Sequence, residues 1–142
     1  MQQDRNDKVL YDDHILEAFV SAANTFEFSM NISLMVKGII VCGDIISGEE
    51  YFDRCATKIT SVGGVIAIEL GNVLKKISTT YKKDYQEEPN APEKPYINFI
   101  HLKNVQYYVP GNPPLPLTRN ENELWRGKLS SVDGFSFGRF LI

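Results

Sequence analysis

Histidine and cysteine are scarce in this chain, two of each among 142 residues. With no CxxC or HExxH spacing, a zinc or iron centre has no set of converging donors to draw on. Two cysteines are also too few for a disulfide framework. Cys42 and Cys55 fall in segments that read as a buried strand and a helix, which predicts two reduced core residues. The phosphate-cradling patterns GxGxxG and GxxxxGK are missing, and the pair Gly63-Gly64 alone reads as a break between helices. No metal, nucleotide or other cofactor is implied. His101 sits in a strand-like block and His14 opens a helix, with no nucleophile motif beside either, so neither reads as a general base. The paired carboxylates Asp12-Asp13 and Glu49-Glu50 stand at helix starts, where the macrodipole favours acids, and a capping role accounts for them. The expectation is a protein that is not an enzyme.

Long apolar runs are missing too. No stretch approaches the roughly 20 residues a membrane span requires, and Met1–Lys8 is polar with no apolar segment of signal-peptide form behind it. A cytoplasmic protein is expected. Positive charge is not in excess: the net charge of −3 argues against a general DNA binder.

What is present is an ordinary globular composition, 43% apolar and 23% charged, in a length that suits one domain and one core over residues 1–142. Behind a polar arm at residues 1–10, Asp12 or Asp13 can cap a helix whose apolar residues Ile15, Leu16, Phe19, Val20 and Ala23 recur at helical spacing. The period then changes to two. Phe28, Met30, Ile32, Leu34 and Val36 alternate with Ser29, Asn31, Ser33 and Met35, Lys37-Gly38 interrupts, and Ile39–Val41 resumes, which predicts an antiparallel hairpin. Ser47 and Glu50 fit a capping box at the head of a second helix that ends near Gly63-Gly64. A third helix follows, with Ile66, Leu70, Val73, Leu74, Ile77 and Tyr81 on one stripe and the lysines mostly off it. These two helices form an insertion over about 48–85, followed by a proline-rich connector at 87–95. Tyr96–Val109 reads as a long strand bent or bulged near Lys103-Asn104. A second loop, 110–122, carries four prolines. Leu124–Ile142 predicts two strands about a turn or bulge at Asp133-Gly134.

The order of elements predicts an α+β domain: a five-stranded antiparallel sheet, strongly bent or closed into a small Sm-like barrel, with an N-terminal helix and a helical insertion between strands 2 and 3. Two blocks of residues resemble the gas vesicle accessory proteins called GvpU. One is Asn31-Ile32-Ser33-Leu34-Met35-Val36-Lys37-Gly38, continuing to Gly43, Ile46-Ser47 and Glu50-Tyr51-Phe52-Asp53. The other is Phe99-Ile100-His101-Leu102-Lys103-Asn104, then Trp125-Arg126-Gly127-Lys128, Val132-Asp133-Gly134-Phe135 and Gly138. The third helix and the proline loops lie outside these blocks. The resemblance implies a bacterial, non-enzymatic protein acting beside gas vesicles, on their assembly or clustering, with the vesicle shell protein as partner.

Independently of that resemblance, alternating strands can bring Lys103, Arg126, Lys128 and Arg139 to one sheet face near Trp125 and Tyr107. This is the candidate binding surface. It suits an acidic protein partner or, as an alternative function, a small ligand or RNA held by stacking and cation contacts; a solvated outer face with Trp125 in the core is the plainer reading. Sheet edges or the apolar third helix offer routes to a homo-oligomer.

Overall fold

The computed structural model describes residues 14–87, 97–120 and 122–139. The polar arm, the cap expected at Asp12 or Asp13 and most of the 87–95 connector lie outside them. Helix α1, His14–Phe26, buries Leu16, Val20 and Ala23 of the helical-period set and half-buries Phe19, whereas Ile15 is exposed. Strands β1, Asn31–Val36, and β2, Ile39–Ile46, form the expected hairpin. Its turn residues Lys37 and Gly38 both have positive φ, 49° and 84°, as the twist of a two-residue hairpin turn demands.

Helix α2, Gly48–Thr60, starts on Ser47, whose Oγ accepts from the Glu50 amide at 3.0 Å. Only half of the capping box forms: the Glu50 carboxylate turns away to Arg54 and Lys103. The helix stops just ahead of Gly63-Gly64, both at positive φ. Helix α3, Val65–Lys82, then runs back and packs on α2 through its small residues Ala67, Gly71 and Ser78. A Cβ on Gly71 would press on the Thr60 hydroxyl, so glycine here lets the two helices approach closely. A π-helical turn, Lys83–Glu87, ends this insertion.

Strands β3, Phe99–Tyr108, β4, Trp125–Lys128, and β5, Gly134–Phe137, complete a sheet of order β4-β3-β2-β1-β5, antiparallel throughout. The irregularity expected near Lys103-Asn104 is a bulge. The register slips by one residue between Cys42 and Asp44, and Asn104 takes the extra position at φ 55°. Gly43 lies opposite, where a Cβ would stand 2.9 Å from the Lys103 carbonyl oxygen.

One sheet face carries Ile32, Leu34, Val41, Ile45, Ile100, Leu102 and Val105, and with α1 it makes the core. The other face meets α2. The Sm-like barrel is not formed: β4 and β5 lie at opposite edges and share no ladder, so the sheet is open. It is nevertheless strongly curled. The Leu129 amide donates to the Asn98 carbonyl at one end of β3, and the Asp133 amide donates to the Met35 carbonyl near the far end of β1. On a flat sheet those points would be roughly 30 Å apart, and four residue steps reach about 14 Å at most. The turn or bulge expected at Asp133-Gly134 does not join two paired strands. Gly134 opens β5, the Asp133 carboxylate accepts from the Lys37 amide at 2.9 Å, and a 3-10 turn at Leu129–Ser131 carries the chain across.

Candidate functional site

Alternation along β3 and β4 fixes which side chains share a face. His101 pairs with Arg126 and Phe99 with Lys128, so Phe99, His101, Lys103, Arg126 and Lys128 all project toward the α2 side. Arg139 joins that side from the chain after β5, where its Nη2 donates to Gln106 Oε1 at 2.9 Å. The four predicted cations therefore do share one face. Trp125 and Tyr107 do not: both pack against the core cluster on the opposite face, and the Trp125 ring covers Gly127.

Most of these cations are engaged within the chain. Lys103 Nζ donates to Glu50 Oε2 at 3.1 Å, and Arg54 Nε donates to the same oxygen at 2.7 Å. The Arg126 guanidinium lies 3.6 Å from the centre of the Phe99 ring and 5.5 Å from that of Phe52. Its Nε donates to His101 Nε2 at 3.2 Å. Lys128 is exposed at the end of β4.

Beneath Arg126 the sheet and helices enclose His101, which is 1% exposed. Ring centres of Tyr51, Phe52 and Tyr81 lie 4.6, 5.8 and 5.9 Å from that of His101. Burial, with the Arg126 charge adding to it, pulls the His101 pKa from 6.5 down to about 3, so the imidazole is neutral across the physiological range. Because Nε2 accepts from Arg126, the ring proton is assigned to Nδ1, and that nitrogen is buried with no hydrogen-bond partner. His101 is thus satisfied on one side only. Burial and a hydrogen bond with Cys55 push the Tyr51 phenol up to about 12, and burial raises Tyr85 to about 12 as well, so both stay protonated. Cys55 is half-buried on α2 rather than in the core; Cys42 is fully buried, its Sγ 3.1 Å from Ser33 Oγ.

This is an aromatic box closed by a cation, held by ring and cation–π contacts. Among the described residues no cluster of three His, Cys, Asp or Glu can hold a metal ion. A groove of about 430 Å³ lies between α2 and the segment before β4, lined by Asp53, Arg54, Thr57, Lys58, Asn122 and Leu124. Its charges are of both signs, and Lys58 already donates to the Asn122 carbonyl at 3.2 Å.

The sequence pointed to the cations but not to their partners. Glu50 and Phe52 come from α2, Tyr81 from α3 and Phe99 from β3, and only the fold brings them to Lys103, Arg126 and His101. The buried Asn24 was a further omission: its Oδ1 accepts from the Gly48 amide at 2.9 Å and its carbonyl from Gln86, tying α1 to both ends of the helical insertion.

No helix among the described residues is long and apolar enough to cross a membrane. Comparison with curated proteins gives no match, and no solved structure matches. A family model described as gas vesicle protein GvpU-like matches residues 13–140, a span that includes α3 and both proline-rich loops as well as the two blocks of resemblance. The chain therefore belongs to the GvpU-like family of gas vesicle proteins.

Proposed function

We propose that the protein is a non-enzymatic, cytoplasmic accessory of gas vesicles that acts on their assembly or clustering through protein–protein contacts with the vesicle shell. The observation that carries this reading is the family match over nearly the whole chain. The site chemistry agrees with it. The buried groups stabilise packing, with a neutral histidine, two phenols held protonated and cations committed to in-chain partners. The alternative of a ligand- or RNA-binding module has less to stand on. Trp125 and the cations lie on opposite faces, so base stacking and phosphate contact cannot act together there.

A shell is a repeating surface, so weak contacts repeated over it suffice for adhesion. Adding the purified protein to a suspension of isolated gas vesicles is expected to gather dispersed vesicles into clusters visible by light scattering and electron microscopy. Vesicles that remain dispersed at every protein concentration would count against a clustering role.

A further inference from the structure

Among the described residues, the outer flank of α3 is an exposed apolar face. Ile66, Leu70 and Val73 are 68%, 52% and 54% exposed, and Ile77 is half-buried. The residues that touch α2, Ala67, Gly71 and Ser78, lie about a third of a turn away around the helix. The insertion thus has one face closed by small residues and a second, apolar face with no partner among the described residues.

The spacing of that second face is specific. Ile66, Leu70, Val73 and Ile77 follow each other at intervals of four, three and four residues, the heptad rhythm that keeps one seam facing another helix. Its flank carries Glu69 and Lys76 at equivalent heptad positions, one of each sign. Among the described residues neither has an ion-pair partner, whereas the neighbouring Lys75 is held by Asp53 at 2.8 Å.

We infer that α3 pairs antiparallel with α3 of a second copy about a two-fold axis. The sequence is complementary to itself in that arrangement. Leu70 meets Val73 of the second copy and Ile66 meets its Ile77, each layer occurring twice by symmetry. Glu69 of each copy then flanks Lys76 of the other, giving two equivalent ion pairs that fix the register. In a parallel pairing the equivalent flanks stand on opposite sides of the seam, so Glu69 and Lys76 could not meet, and the antiparallel arrangement is the one that pairs them. The other exposed apolar residue of the helix centre, Ile68, lies off the seam and takes no part. Four layers make a smaller interface than permanent dimers have, so the association is weak and reversible. It requires no vesicle, and the purified protein alone reports it.

Sedimentation velocity over about a hundredfold concentration range tests the inference, because a reversible dimer grows with protomer concentration by mass action. All positions changed are solvent-exposed, so the variants keep the fold. Wild type is expected to pass from monomer to dimer. Leu70→Asp should raise Kd by roughly tenfold or more, and Ile68→Asp should leave it within about twofold of wild type. Glu69→Lys and Lys76→Glu should each weaken pairing by about threefold to tenfold, and the double variant Glu69→Lys/Lys76→Glu should recover it. A wild type that stays monomeric throughout overturns the inference. So does a double variant no better than the singles, or an Ile68→Asp loss equal to that of Leu70→Asp.

Discussion

His101 is where the fold is most exposed to pH. Its folded pKa of about 3 lies below the ordinary 6.5, so above pH 6.5 both folded and unfolded chains hold the imidazole neutral. As pH falls through 6.5 only the unfolded chain takes up the proton, and stability is lost progressively toward pH 3. The loss from this group is at most about 1.4 kcal/mol per pH unit. Urea unfolding of wild type between pH 6.5 and 4.5 should show that slope, and His101→Gln should flatten it; equal slopes in the two proteins would contradict the account. Two glycines make an opposed pair. A Cβ at Gly48 would enter the Tyr81 ring, itself stacked on Phe52 and Tyr85, so Gly48→Ala should cost about 1–3 kcal/mol in urea unfolding. At Gly71 only the exposed Thr60 hydroxyl must turn aside, and alanine restores helix propensity, so Gly71→Ala should be neutral or stabilising by up to about 1 kcal/mol. The sequence placed His101 in a strand without difficulty. Its enclosure was not legible, because Tyr51 and Tyr81 lie far from it along the chain and meet it only through the helical insertion.

Local signals at the level of elements survived folding where backbone chemistry decided them. The hairpin turn at Lys37-Gly38, the Ser47 cap, the break at Gly63-Gly64 and the bulge at Asn104 each rest on a φ value or a hydrogen bond set within a few residues. Ser47→Ala should accordingly lower stability by about 1 kcal/mol through the loss of the Glu50 amide's acceptor, with the fold unchanged by circular dichroism. Elements whose fate depends on distant partners read less well. The apolar stripe of α3 carries the periodicity of a buried face, yet Gly71 and Ala67 take the packing role because small residues allow α2 a closer approach. Asp133-Gly134 has the composition of a hairpin turn. It instead joins opposite sheet edges, since Asp133 is claimed by the Lys37 amide and Gly134 by β1.

For the whole molecule, the strand count, the antiparallel order and the place of the helical insertion were all legible from the alternation of periods along the sequence. Closure was not. The residues 129–133 draw the two edges toward each other without a β4–β5 ladder, and each edge strand is only four residues long, which limits its capacity to recruit another strand. What the molecule offers a partner is therefore its surface: a strand face ending in the exposed Lys128 and, on the far side of α2, the apolar flank of α3. The claim that this surface serves gas vesicles is tested most directly by flotation. Purified protein is mixed with isolated, intact vesicles and centrifuged gently, so that the vesicles rise and unbound protein does not. The account predicts that the protein is recovered in the buoyant layer in proportion to vesicle surface and is left behind when the vesicles are collapsed by pressure beforehand. Protein that remains wholly in the lower layer beneath intact vesicles would contradict it.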